Sequence, residues 1–297
     1  MTLPPLPRRQ VLSDACRQEA ARQGIDPLVV EKDFYLTRLI WALGQERREQ
    51  LLLKGGTCLS KCDLGYHRMS EDADFVIPWS SSTSYRRTNA TQTNQVRNVL
   101  RTIARETGVA LRTVDGDRYE QASHIIWTVT YPSELSPNGE GSILIEAAMR
   151  PVLRQARQTR LSQILTGPLM AAYEDASCWA LDAAEVRAEK VRAAYTREER
   201  AIRDFYDLDL FRRIEADMNS DDFRGLVDAK LAEMQRGPLA EQPPQFGLSA
   251  QQKQQLHRDI PRFLTPVLRS TDPPYDLDRT LRHYDEIWGH EHRVTPC

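Results

Sequence analysis

Residues 51–77 read LLLKGGTCLSKCDLGYHRMSEDADFVI, and the order of elements in this stretch decides the fold. Leu51 to Leu53 is a short apolar strand ended by Lys54-Gly55-Gly56. Thr57 to Asp63 reads as a short helix, and Asp72 to Ile77 as a second strand stopped by Pro78. Glycine lets the backbone turn sharply and approach a ligand closely. The amides opening the next helix can then face an anion, with a favourable dipole behind them. A Gly-Gly pair also serves as a plain turn, and both readings stay open on this feature alone. Alternate side chains of a strand share a face. Ser70, Asp72 and Asp74 therefore point one way, and Ala73, Phe75 and Ile77 point the other way into a core. Two carboxylates at i and i+2 repel one another unless a cation lies between them. Hard oxygen ligands suit Mg²⁺, which takes one or two carboxylates together with substrate phosphates. A solvated acidic strand face is the alternative.

Outward from this stretch the chain divides by character. On its N-terminal side Val11 to Gln23 and Leu28 to Gln45 read as helices, with Asp26-Pro27 as the start signal of the second. On its C-terminal side Ser80 to Ser84 is a polar linker, and Tyr85 to Thr107 is a helix closed by Gly108. Val109 to Val114, Ser123 to Tyr131 and Ser142 to Ala147 read as strands, separated by turn chemistry at Asp115-Gly116 and Pro137-Asn138-Gly139. No convincing strand follows Pro151. Asp182 to Tyr195, Ala201 to Ile214, Asp221 to Gln235, Leu248 to Leu264 and Leu277 to Trp288 are helical, with a Pro-rich connector at Gly237 to Gly247. The expectation is an α/β (α+β) half up to about residue 155, a mixed sheet flanked by helices, and a helical half over 156–297.

A chain of 297 residues with 40% hydrophobic and 28% charged residues has the composition of an ordinary globular protein able to bury a large core. The net charge of −2 gives no global pull toward nucleic acid, so such a contact requires a local basic patch. No apolar run approaches the roughly 18 residues of a membrane span, and the Pro-rich start is not a secretory signal. Five scattered cysteines without paired C-x-x-C units argue against structural zinc. Cys58 and Cys62 are one helical turn apart with His67 near; small buried residues are the ordinary reading of both. Reduced thiols point to the cytoplasm.

The strand-Gly-Gly-Thr unit followed by Ser70-Glu71-Asp72-Ala73-Asp74 resembles the abortive-infection family of nucleotidyltransferase toxins, the AbiEii-like and MenT-like proteins, within the polymerase-beta-type superfamily. The resemblance continues in Ala188-Glu189-Lys190 and Arg203-Asp204-Phe205-Tyr206-Asp207-Leu208, and runs from about Val30 to Phe211. Thr57 stands where many relatives carry Ser, and Arg203 where Lys is more frequent; both keep the chemistry. The resemblance implies a nucleotidyltransferase fold over 1–155 and a helical domain over 156–297 that completes the active site. It implies a Mg²⁺-dependent transfer of a nucleoside monophosphate from an NTP to an acceptor. Asp72, Asp74 and Glu146 would be the metal carboxylates. Gly55, Gly56, Thr57, Ser70 and Lys190 would bind nucleotide, and Asp207 would be functional, fixing Lys190 or the acceptor.

Each of these positions also has a plain structural reading. Glu146 closes the apolar strand Ile143-Leu144-Ile145 and can be a rim residue. Lys190, with Val186, Ala193 and Ala194 one turn away, can be a snorkelling surface lysine. Arg203 and Asp207 can form a surface ion pair worth little. Arg150, Arg154, Arg157 and Arg160 follow the last strand, and Arg187, Arg192, Arg197 and Arg200 flank Lys190. They can hold an RNA backbone or lie on solvated faces. The resemblance implies the 3′ end of tRNA as acceptor, with Arg150, Arg154 and Arg157 against it. It implies blocked translation as the outcome and a winged-helix regulator as the antitoxin. A small-molecule nucleotidyltransferase of the antibiotic-modifying kind needs the same aspartates, and a catalytically dead nucleotide-binding module is the third reading.

Overall fold

The computed structural model describes residues 3–47, 50–70, 72–79, 85–112, 117–119, 124–235 and 247–288. Glu71, Ser123, the linker at 80–84, the turn at Asp115-Gly116 and residues 237–246 of the connector lie outside them. Two compact units are present: Met1–Asp182 with Arg269–Thr271, and Ala183–Leu268 with Asp272–Cys297.

The first unit is built on one mixed sheet. Its strands are β1 (Leu52–Leu53), β2 (Ala73–Pro78), β3 (Ala110–Leu111), β4 (Asp117–Tyr119), β5 (His124–Pro132), β6 (Glu140–Arg150), β7 (Arg157–Arg160) and β8 (Ser177–Ala180). The order is β3-β5-β6-β2-β1-β8-β7, with β4 also paired to β5. β2 runs antiparallel to β1 and parallel to β6, so Asp74 lies opposite Glu146 and Phe75 opposite Ala147. The inward alternation expected of this strand holds: Ala73, Phe75 and Ile77 are buried.

Helices α1 (Arg9–Gln23) and α2 (Pro27–Arg47) precede the sheet, and α4 (Tyr85–Thr107) follows β2, after the one-turn helix α3 (Gly55–Cys58). Gly24 ends α1 at φ +68, and the Asp26 carboxylate accepts from the Leu28 amide at 2.8 Å to open α2. From Asp33 to Gly44 every residue of α2 is buried, a wider contact than one apolar stripe. Its polar members are satisfied inside: Arg38 donates to the carbonyls of Pro4, Glu106 and Thr107 at 2.8, 2.8 and 3.2 Å, and so closes the end of α4.

Two strands lie beyond Pro151, where none was expected. β8 pairs parallel with β1, and β7 antiparallel with β8. The division between the units therefore falls at Asp182–Ala183 and not near residue 155. The physical reason is that β7 is an edge strand of sequence RQTR, with no apolar alternation, and β8 is four residues long.

The second unit is helical: α5 (Ala183–Thr196), α6 (Ile202–Arg213), α7 (Asp221–Gln235), α8 (Ala250–Asp259) and α9 (Leu277–Trp288). Its core includes Val191, Phe205, Leu208, Phe211, Phe223, Val227, Leu256 and Tyr284. The Tyr284 hydroxyl donates to the Leu208 carbonyl at 2.8 Å. Ser249 and Gln252 form a reciprocal capping box at the start of α8.

Candidate active site

The Gly-Gly turn folds back onto β2. Gly55 has φ +69, a conformation that glycine adopts without penalty. A Cβ on Gly55 would lie 2.5 Å from Asp74 Oδ2, and one on Gly56 would lie 2.6 Å from Arg68 Nη2 and 3.0 Å from Ser70 Oγ. Each glycine thus admits a charged side chain from the second half of the motif. The turn is locked from both directions. The Lys54 amide donates to the Asp74 carbonyl at 2.9 Å. The Thr57 hydroxyl donates to the Asp72 carbonyl and stands 2.8 Å from the Ser70 hydroxyl. The hydroxyl kept at position 57 therefore ties the turn to the aspartate strand.

The helix expected over Thr57 to Asp63 is one α turn, Gly55–Cys58, running into a π turn over Leu59–Asp63. A helix this short has little dipole to offer an anion. Asp72 and Asp74 are half-buried, and Asp74 and Glu146 share a register position on adjacent parallel strands. Asp72 lies one residue before the strand rather than in it. Among the described residues no group of three His, Cys, Asp or Glu side chains is arranged to hold a metal ion.

Two residues here were missed by the sequence reading. Arg68 is 3% exposed and its Nη1 donates to the Met69 carbonyl at 3.1 Å. Lys61, also buried, pairs with Asp33 of α2 and donates to Thr37 Oγ1 at 2.7 Å and the Ser162 carbonyl at 3.2 Å. Asp33 also accepts from the Ile164 amide at 3.0 Å. A signal for Arg68 was available: Arg68, Ser70, Asp72 and Asp74 follow one another at spacing two. Cys58 is buried, and Cys62 Sγ stands 3.9 Å from Cys178 Sγ. Hydrogen bonding to Cys62 and burial push the Cys58 thiol well up.

The second unit holds the other predicted residues. Lys190 is buried, not on the surface, and meets Asp204 at 2.6 Å and Asp207 at 2.9 Å. Arg197 adds a contact to Asp204 at 2.8 Å. Burial opposes ionisation of Asp204, but Lys190 and Arg197 hold its carboxyl below the ordinary value. Asp207, fully buried, belongs to Lys190 and so is no surface partner of Arg203.

The arginines divide. Arg157 pairs with Asp63 and donates to the Leu181 carbonyl at 3.0 Å. Arg192 pairs with Glu189 at 2.7 Å, and Arg200 donates to the Gly247 carbonyl at 2.9 Å. Arg150 donates to the Met149 carbonyl at 3.3 Å, Arg154 is half-buried, and Arg160, highly exposed, stands 3.7 Å from Asp175.

The fold is similar to that of MenT4, a nucleotidyltransferase toxin from Mycobacterium tuberculosis H37Rv, with TM-score 0.52 and 21% identity over 95% of this chain and 97% of that one. An antigenic nucleotidyltransferase-like protein from Paracoccidioides brasiliensis matches at TM-score 0.37 and 14% identity, over 69% of this chain and 90% of that one. No curated protein matches the chain. Residues 41–287 match the family model described as nucleotidyl transferase AbiEii toxin, type IV toxin–antitoxin system. That span takes in the Gly-Gly turn, the aspartate strand and both helices of the Lys190 cluster, and the chain belongs to the AbiEii nucleotidyltransferase toxin family.

Proposed function

We propose that this nucleotidyltransferase toxin transfers a nucleoside monophosphate from an NTP to the 3′-hydroxyl of tRNA and thereby blocks translation. The acceptor oxygen attacks the α-phosphorus, a new P–O bond forms, and pyrophosphate leaves. The observation that carries the site is the packing of Asp74 under Gly55, opposite Glu146 on the next strand. Carboxylate oxygens beside a glycine turn are the donor chemistry that Mg²⁺ accepts when substrate oxygens complete its shell. Asp72 and Asp74 would hold the ion together with substrate phosphate oxygens, with Glu146 helping from the next strand, and the ion would supply charge neutralisation at the attacking and leaving oxygens.

The chain's own groups do the positioning. The Gly55-Gly56-Thr57 turn and the Ser70 hydroxyl orient phosphate oxygens. Lys190, set by Asp204 and Asp207, is the cation assigned to the triphosphate. Arg150 and Arg154 are the arginines assigned to the acceptor backbone, with Arg157 supporting the fold beside them. Membership of a toxin–antitoxin family implies an antitoxin partner, and a winged-helix regulator is the kind proposed. Among the described residues no helix is long and apolar enough to cross a membrane; the proposed setting is the cytoplasm, where tRNA and NTPs meet.

Incubation of the protein with bulk tRNA, Mg²⁺ and each labelled NTP tests the proposal. Label on intact but not periodate-treated tRNA is expected. Equal labelling of both would remove the 3′ end as acceptor. Labelling of a small amino- or hydroxyl-bearing compound in place of RNA would establish the antibiotic-modifying alternative, and no turnover of any NTP would leave a binding module.

A further inference from the structure

Gly55 and Gly56 are glycines for different reasons. Gly55 needs its left-handed φ and makes room for Asp74. Gly56 is not among the glycines of positive φ, so its missing side chain is explained by space, and that space is filled by the Arg68 guanidinium. Arg68 is 3% exposed. A guanidinium taken out of water at this depth is costly and is retained where it holds something in place. Here it packs against the turn at Gly56 and donates to the Met69 carbonyl, with the Ser70 hydroxyl beside the same glycine. Arg68, Ser60, Lys61, Ser70 and Gln163 line a shallow polar recess. Of the two cations on that recess, Lys61 is held away from the turn by Asp33, Thr37 and the Ser162 carbonyl. Arg68 is the one set directly against it.

We propose that Arg68 is a nucleotide-positioning residue. From behind Gly56 its guanidinium fixes the turn and the Ser70 hydroxyl, and supplies the positive charge that the sheet unit brings to a polyphosphate. The one-turn helix after Gly55 has too little dipole for that task. The inference rests on the nucleotide site proposed above at Gly55 to Asp74. Charge of this kind acts in proportion to the charge it meets, which separates it from a purely structural role.

The test uses the full chain with Mg²⁺ and two base-independent probes, tripolyphosphate and pyrophosphate, followed by NTP kinetics. Arg68→Met is expected to weaken tripolyphosphate binding about tenfold and pyrophosphate binding distinctly less. The KM for NTP should rise by a similar factor with kcat less affected, and Arg68→Lys should recover part of the loss. Should Arg68→Met not fold, Arg68→Gln gives the same reading, because it removes the charge and keeps a hydrogen-bond donor behind the turn. A folded variant with wild-type tripolyphosphate affinity overturns the proposal. So does one that loses both anions by an equal factor, since that is the mark of structure alone. Wild-type protein that is folded yet binds neither tripolyphosphate nor any NTP brings down the nucleotide site itself, an outcome visible before any variant is made.

Discussion

Asp72 and Asp74 in the sheet unit and Asp204 and Asp207 in the helical unit are the same chemistry in opposite surroundings. The first two are half-buried on a strand and its threshold, with Glu146 in register alongside Asp74. The second two are 3% and 0% exposed and close on one ammonium group. A half-exposed carboxylate can exchange partners while the fold stands. A buried, paired one cannot, because breaking the pair leaves a charge without compensation in a poor solvent. Sequence spacing presents the two pairs as equals, and burial decides that one is suited to bind a cation while the other is suited to hold a lysine still.

The comparison breaks most visibly if the sheet aspartates are neutralised. Asp74→Asn or Asp72→Asn should lower nucleotide transfer about a thousandfold in a protein that still folds, because the substitution keeps the shape of the side chain. Turnover above a tenth of wild type in either variant would show that the aspartates do not bind the metal.

Lys190→Met should behave in the reverse manner, with stability falling by about 3–5 kcal/mol because Asp204 and Asp207 lose their common partner. Adding Asp204→Asn and Asp207→Asn should return part of that loss. Acid denaturation offers a second measure. Against the pull of burial, Lys190 and Arg197 keep the Asp204 carboxyl below its ordinary value near 3.8. A folded value below the unfolded one means that ionised Asp204 stabilises the fold above that ordinary value, and that this stability is lost as pH falls through the depressed one. Without Lys190 the depression weakens, so the acid unfolding midpoint should move to higher pH. An unchanged midpoint in chemical denaturation and in acid would mean that Lys190 contributes nothing to the fold.

The sequence made the sheet side of this comparison legible and left the helical side half-read. Gly55-Gly56, the alternation of Ala73, Phe75 and Ile77, and the carboxylate spacing are local patterns, and the fold follows them. The helices over 183–235 were legible for the same reason, within one or two residues. What failed was whatever depends on distant partners. β7 is an edge strand of charged residues that borrows its pairing from β8, so no periodicity announces it. Arg68 and the Lys61–Asp33 pair are polar residues whose burial comes from segments 12 to 131 positions away. The surface pair of Arg203 and Asp207 stayed open beside the reading in which Asp207 fixes Lys190, because a helical wheel shows faces but not which face is covered. The arginines near residue 150 read as one basic patch, because charge in a sequence carries no sign of being offset in space.

A substitution at Gly55 probes the joint between turn and strand. Gly55→Ala meets two penalties: a left-handed φ that alanine disfavours and a Cβ placed 2.5 Å from Asp74 Oδ2. A loss of about 1–3 kcal/mol is expected, accompanied by reduced transfer because Asp74 must move. Gly65, at φ +67 with no atom within 4 Å of an added Cβ, is the control: Gly65→Ala should cost about 1 kcal/mol and leave transfer at wild-type level. Equal losses of transfer in the two variants would mean that the close approach of Asp74 to the turn is unimportant to the chemistry.

The smallest effect expected is at Arg157, and it sorts fold from ligand. Its guanidinium is 28% exposed and its partner Asp63 13%, between the surface and buried regimes of ion pairing. Burial would lower its pKa, but Asp63 and the neighbouring Cys58 raise it on balance, so the charge is anchored where it stands. The Leu181 carbonyl takes a second donor at 3.0 Å, which ties the π turn after the Gly-Gly motif to the end of β8. Arg157→Gln should therefore lower stability by about 1 kcal/mol and leave the salt dependence of tRNA binding close to wild type. Arg154→Gln should instead give a shallower dependence of tRNA affinity on salt concentration, because a phosphate that the protein no longer neutralises keeps its own counterion, about one per phosphate. If Arg157→Gln flattens the salt dependence as much as Arg154→Gln does while the fold keeps its full stability, Arg157 faces the acceptor and its pairing with Asp63 is incidental.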